Sequence, residues 1–267
     1  MLTEQRELVG KILAFVREDE ANRLGGNTSI YDEPLVGFAQ ARDPLFEKLK
    51  EEEVIGDVHR SPEEWLPGAL CVISYFLPFS REIRSSNYGN GLASEEWLQG
   101  RFQGEGLNNK LRKFLVEELT ARGGRAIAPA IDKDWMVDYQ LCRSNWSERH
   151  AAFIAGLGTF SLNRGMITSR GMAGRFGSVI TNLEFTPTER AYRSPFEHCP
   201  FLVDGSCGAC IDRCPVGAIT AEGKDKKRCH QYIFIEDPLA EIRMKYGYPQ
   251  SACGKCQTSV PCETGIP

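Results

Sequence analysis

Apolar residues at the start of the chain recur with the period of a helix. Leu8, Ile12 and Phe15 form one stripe, and Val9, Leu13 and Val16 widen it, which predicts an amphipathic helix over 3–19 that is broken near Gly25-Gly26. Asp43-Pro44 carries an N-cap followed by proline at the first helical position and predicts a second helix to about Glu53; Ser61-Pro62-Glu63-Glu64 repeats the signature. The period then changes. Residues 69–77 form a continuous apolar run ended by Pro78, as expected of a strand covered on both faces, with Cys71 inside it as a core thiol. Residues 81–91 are polar and turn-rich and read as a loop over a pocket. Over 106–122 Leu107, Leu111, Phe114, Leu115, Val116 and Leu119 share a helical face, stopped by Gly123-Gly124, and 125–131 reads as the next strand. A helix begins at Ser147-Glu148-Arg149-His150, and its Ala151, Ala152, Ala155 and Gly156 permit close approach of a neighbour or a flat cofactor. Strands are expected at 166–168 and 176–183. Helices alternating with buried strands argue for a mixed α/β layer structure. Gly156-Leu157-Gly158 follows a helix rather than a strand, the wrong context for a dinucleotide fingerprint, and no Walker A motif occurs.

Composition narrows this picture only a little. The 267 residues are 42% hydrophobic and 25% charged, ordinary for a soluble protein, and no apolar run approaches a membrane span. A formal net charge of −4 with no long basic tract gives no general electrostatic reason for a nucleic-acid partner. Residues 1–10 are charged, without the apolar run of a signal peptide, so the expected compartment is the cytoplasm and a disulfide framework is disfavoured.

Candidate chemistry is concentrated at the C-terminal end. Eight of the ten cysteines lie there: Cys199, Cys207, Cys210, Cys214, Cys229, Cys253, Cys256 and Cys262. Cys207-Gly-Ala-Cys210-Ile-Asp-Arg-Cys214-Pro215 is C-x2-C-x3-C-P, most of a bacterial ferredoxin motif, in which the cysteine before proline serves the other cluster. Two 4Fe-4S clusters need eight thiolates, the number present. A zinc site built from the pairs Cys207/Cys210 and Cys253/Cys256 would leave the remaining cysteines without a role.

Glu148-Arg149, Ala155-Gly156-Leu157-Gly158, the turn with Asn163 and the two-part cysteine segment, in that order, resemble the epoxyqueuosine reductase family and, more distantly, the reductive dehalogenases. The likeness runs from about Ala69 to Cys262. It implies a nitroreductase-like α/β domain that binds cobalamin and substrate over 1–192, followed over 193–267 by a ferredoxin-like domain with two 4Fe-4S clusters. It also implies cobalamin contacts at Gly156, Gly158 and Asn163. Reduced cobalamin, fed by the clusters, would remove oxygen or halogen from the substrate.

Three departures from that family pattern matter. Asp204 stands where the family's first cluster cysteine falls, so Cys199 is the expected replacement, with Asp204 as an oxygen ligand or an open iron as the alternatives. Val260 stands at the family's last C-P ligand, and Cys262 follows Pro261. The resemblance then implies one cluster on Cys199, Cys207, Cys210 and Cys262 and another on Cys214, Cys229, Cys253 and Cys256. Third, Cys142 occupies the position of the family's proton-donating aspartate, and a thiol there reads as a catalytic acid, a structural group or a cobalt-facing group. Tyr139 and His150 are neighbouring candidates for proton transfer.

The chain ends at Pro267 without the helical-repeat extension of many epoxyqueuosine reductases, and with its acidic balance this makes a small molecule or a corrinoid protein the expected partner in place of tRNA. The leading expectation is an iron-sulfur oxidoreductase that draws electrons from a ferredoxin or flavodoxin and passes them through cobalamin to a small substrate. The alternatives are a cobalamin carrier or corrinoid-reducing activase, and an electron-transfer protein without cobalamin.

Overall fold

The computed structural model describes residues 2–267. Its centre is a four-stranded antiparallel sheet in the order Leu35–Gln40, Cys71–Pro78, Gly174–Thr181, Ala126–Ile127. The apolar run is the strand Cys71–Pro78, and all eight of its residues are buried. Alternation sends Cys71, Ile73, Tyr75 and Leu77 to one face, against Leu8 and Ile12 of the first helix and Leu107, Leu111 and Leu115 of a long helix. Val72 faces the other way, against Phe46, Trp146, Ala151 and Ile154, while Phe76 on that face meets Ala152 and Leu157. Helices on both sides of an antiparallel sheet therefore explain a run that alternation alone would have left half polar.

The first helix, Leu2–Glu18, matches the amphipathic stripe, with Leu8, Ile12 and Val16 buried. The long helix is Glu95–Ala121 and starts well before the expected Gly106, capped by Ser94, whose hydroxyl accepts from the Trp97 amide. Gly100, Gly104 and Gly106 disguise its first half in the sequence. Gly104 is needed there for space, since a Cβ would meet the Tyr31 ring within 3.0 Å.

Other bounds also move. The helix after Asp43 is only Pro44–Lys48, and Ser61 and Glu64 close a capping box on the short helix Pro62–Trp65. The expected loop 81–91 begins with a helix, Arg81–Ser86. Only Ala126–Ile127 of 125–131 is strand, because Pro129–Ile131 turns into a 3-10 helix. The strand Leu35–Gln40 lacked a clear period and was not expected.

Residues 193–267 hold short helices and a small hairpin, packed against the sheet layer through buried polar contacts. Lys255, 3% exposed, donates its Nζ to the carbonyls of Asn87 at 3.1 Å and Gly89 at 2.7 Å. Arg84 pairs with Glu263 at 3.1 Å, and Asn163 Nδ2 donates to the Cys256 carbonyl at 2.6 Å. The core continues across this junction, since Leu162, Ile167 and Met172 pack with Cys199 and Ile219. Among the described residues no helix is long and apolar enough to cross a membrane.

Candidate functional site

A cavity of about 580 Å³ opens between the sheet, the long helix and the segment 144–149. The long helix delivers Arg101, Glu105, Asn109 and Arg112 to its wall at helical spacing, and the short helix Glu148–Ile154 brings Glu148 and Arg149. Arg175 and Phe176 come from the sheet, and Trp135 from a loop. Arg112, 2% exposed, bonds Glu105 at 2.8 Å and Glu148 at 3.1 Å. Burial works against the Arg112 charge, but the Glu148 and Glu105 carboxylates outweigh it and raise its pKa. Burial pushes the Glu148 carboxyl up, against the opposing pull of Arg112 and a hydrogen bond from Ser178. Trp146 in turn donates its indole N–H to Ser178 at 2.9 Å, so this buried set is locked in one arrangement.

Behind this cavity lie the thiols, and they fall into two sets. Cys199, Cys207, Cys210 and Cys262 line one enclosed, mostly apolar cavity with Ile167, Phe201 and Val260. Burial pushes the Cys210 and Cys262 thiols up to about 12, and the neighbouring thiols of this set add to the rise. Cys253 is likewise raised to about 12, by burial and then by Cys256, Cys229 and Cys214. Cys214, from the same motif as Cys207 and Cys210, thus belongs spatially to the other set. Cys210 also feels Cys256, so the sets adjoin. Thiols held up in this way need a strong positive centre to become thiolates, as iron provides. The donor set and its enclosure fit iron-sulfur clusters. Among the described residues no three His, Cys, Asp or Glu side chains converge on a single-ion position. Asp204 is exposed, caps the Ser206 amide at 2.8 Å and does not line the thiol cavity.

Two residues connect the large cavity to the thiols. Met172 lines it and places its sulfur 3.7 Å from Cys262 Sγ. Gln257, next in sequence to Cys256, lines it as well. Neither was singled out from sequence.

Of the other expected site residues, Asn163 is buried and serves as a brace, bonding Gly165 N at 2.7 Å as well as the Cys256 carbonyl. Gly156 and Gly158 do not reach the large cavity. A Cβ on Gly158 would lie 2.1 Å from the Ile167 carbonyl, and one on Gly156 would meet Thr188 and Glu189 at 3.1 Å, so their small size serves packing of protein on protein. The wall of the large cavity near them is formed by Gly165, Met166, Gly174 and Arg175.

Cys142 sits with φ 51° in the turn of the hairpin that pairs Val137–Asp138 with Arg143–Ser144. It lines a side cavity of about 280 Å³ with Tyr139, His150, Lys226 and His230. Ser144, Ser147 and Arg149 line both this and the large cavity, so one layer of side chains separates Cys142 from the latter. His150 is held neutral, its pKa lowered to about 3 by burial and then by Arg149, and its Nδ1 lies 2.8 Å from the Ser147 hydroxyl.

No protein-family model matches the chain. The epoxyqueuosine reductase of Bacillus cereus is 27% identical over 266 residues, covering 86% of this chain and 61% of that protein. The chain is similar to epoxyqueuosine reductases. Its fold agrees: the epoxyqueuosine reductase of Bacillus subtilis, in a structure with its catalytic loop swung out of the active site, superposes over 98% of this chain and 66% of its own with a TM-score of 0.53 at 20% identity. A catabolic reductive dehalogenase in complex with 3-bromo-4-hydroxybenzoic acid superposes over 87% of this chain and 30% of its own, with a TM-score of 0.57 at 15% identity. The chain thus spans about three fifths of the length of the curated relative, 61%.

Proposed function

We propose that this chain is a cobalamin-dependent iron-sulfur reductase of a small substrate, with 4Fe-4S clusters on Cys199, Cys207, Cys210 and Cys262 and on Cys214, Cys229, Cys253 and Cys256. The observation that carries this reading is the shared wall: a cavity of about 580 Å³ meets the thiols through Met172 and Gln257. When bound there, cobalamin supplies a strongly reducing cobalt centre beside the substrate. The chain's own part is to hold that space dry and fixed. Met166, Met172 and Phe176 offer an apolar floor, and the locked set Arg112, Glu148 and Ser178 keeps the charged wall from collapsing into it. A low-potential ferredoxin or flavodoxin would deliver electrons at the thiol end, and with a formal net charge of −4 a tRNA substrate is not expected.

Cys142 is the proposed proton donor. Its hairpin stands outside the large cavity, and a swing like that described for the Bacillus subtilis protein would carry the thiol past Ser144 and Ser147. The same outward position also favours a second reading, a corrinoid-reducing activase that needs no donor of its own.

Anaerobic reconstitution with iron, sulfide and cobalamin, then desalting, metal analysis and EPR, tests the proposal. About eight irons and one cobalt per chain, with an altered Co(II) signal, are expected. Eight irons without cobalt would leave an electron-transfer protein, and iron unable to occupy either thiol set would remove the reading altogether. Cys142→Ala separates reductase from activase, because an unchanged pH profile of substrate reduction denies the thiol its role.

A further inference from the structure

The charges on the large cavity do not balance. Arg101, Arg112, Arg149 and Arg175 face Glu105 and Glu148, four guanidinium groups against two carboxylates. Both carboxylates are engaged with Arg112, and Glu105 also lies 3.7 Å from Arg175. Arg101 makes no ion pair among the described residues and has Glu105 within electrostatic reach only. Its partner is a neutral amide: the Gln250 side-chain oxygen, in the orientation that satisfies both groups, accepts from it at 2.6 Å. Arg149 gives one N–H to the Arg164 carbonyl at 2.7 Å. The surrounding protein and then the nearby Arg175 charge disfavour the protonated form of Arg101, which falls to about 9, while Arg149 is solvent-exposed. Arg149 has the Cys256 thiol within electrostatic reach, whereas Arg101 has no thiol neighbour of this kind.

We infer that the cavity takes a small organic oxyanion, a carboxylate or a phosphate monoester, bound by the Arg101 guanidinium with Arg149 as its second donor, and with Trp135 and Phe176 covering its apolar part. A guanidinium offers a planar fork of donors that matches either oxyanion, and such bonds are strongest where water is scarce. Trp135, 42% exposed, and Phe176 line the same cavity and give an aromatic or aliphatic body a surface to cover. An uncharged ligand would leave the excess positive charge uncompensated, so the same wall that attracts an anion rejects its neutral analogue. The inference rests on the reductase reading only in calling this ligand the substrate.

Calorimetric titration of the anaerobically reconstituted protein, with and without cobalamin, tests it with benzoate, its neutral isostere benzamide, and inorganic phosphate. Benzoate is expected to bind saturably and benzamide at least tenfold more weakly. Arg101→Gln and Arg149→Gln should each weaken benzoate about tenfold or more, with Arg101→Lys recovering part of the loss. Phosphate displacing benzoate at lower concentration would assign the site to a phosphorylated ligand, and the reverse order to a carboxylate. Equal binding of benzamide, or unchanged binding in a folded Arg101→Gln protein, overturns the inference. So does cobalt uptake lost in Arg101→Gln when the parent protein binds no benzoate, since the arginine then serves the cofactor. Benzoate binding retained in protein that takes up no cobalt would instead sink the reductase reading and leave the anion site standing.

Discussion

Neither ring nitrogen of His59, 2% exposed and stacked on Trp146 with centroids 5.8 Å apart, has a protein partner among the described residues. Burial, with Lys50 adding to it, lowers its pKa from 6.5 to about 4. The unfolded chain therefore takes up a proton near pH 6.5 that the folded chain refuses until about pH 4. Stability should be full above that window and fall through it by up to about 3 kcal/mol. Urea midpoints of His59→Gln against the parent from pH 7 to pH 4.5 check this, and parallel profiles would deny His59 the role. His150, also lowered, pushes in the same direction and will keep part of the slope in the variant. At Glu148 the expectation concerns pairing. Glu148→Gln leaves Arg112 short of one of its two carboxylates in a buried setting and should cost about 3 kcal/mol, read from the same urea melts at pH 7. None of these burials could be read from residue type. Glu148 was marked in the sequence by a helix start and by the resemblance, and its partner on the long helix was not found at all.

Among the elements, the strand Cys71–Pro78 and the first helix were legible because an uninterrupted apolar run and a 3.6-residue stripe each admit one packing. The first half of the helix Glu95–Ala121 was not, because three glycines and several polar residues weaken local preference that tertiary contact with Tyr31 overrides. A second glycine makes a prediction for the site. Gly171 has φ 77°, and a Cβ there would lie 2.0 Å from the Glu263 carbonyl, beside the bond from Met172 N to the Cys262 carbonyl at 3.0 Å. Gly171→Ala should push the C-terminal tail and Cys262 outward. The expected result is a lowered melting temperature and loss of about half of the bound iron on reconstitution, one cluster of two. A full iron complement would mean that the tail does not position Cys262.

At the level of the whole molecule, the segment 193–267 is part of the core it packs against. Leu239 and Ala252 join the main cluster with Leu8 and Tyr75, and Cys199 and Ile219 pack with Ile167 and Met172. A fragment ending at residue 192 is expected to lose cooperative urea unfolding and to bind a hydrophobic dye, as exposed core does; a sharp transition matching the parent's would show that the α/β layer stands alone. The sequence by itself determined the layer class, through periodicity, and the thiol inventory, through C-x2-C-x3-C-P and the further cysteines, because these depend on spacing along the chain. The grouping of the thiols and Cys199 in place of Asp204 were implied by the resemblance. That Gly156 and Gly158 pack on protein, and that Met172 and Gln257 join the thiols to a charged cavity, were decided by tertiary structure alone. Those are contacts between residues far apart in the chain, set by how helices and sheet close on one another, and no local pattern encodes them.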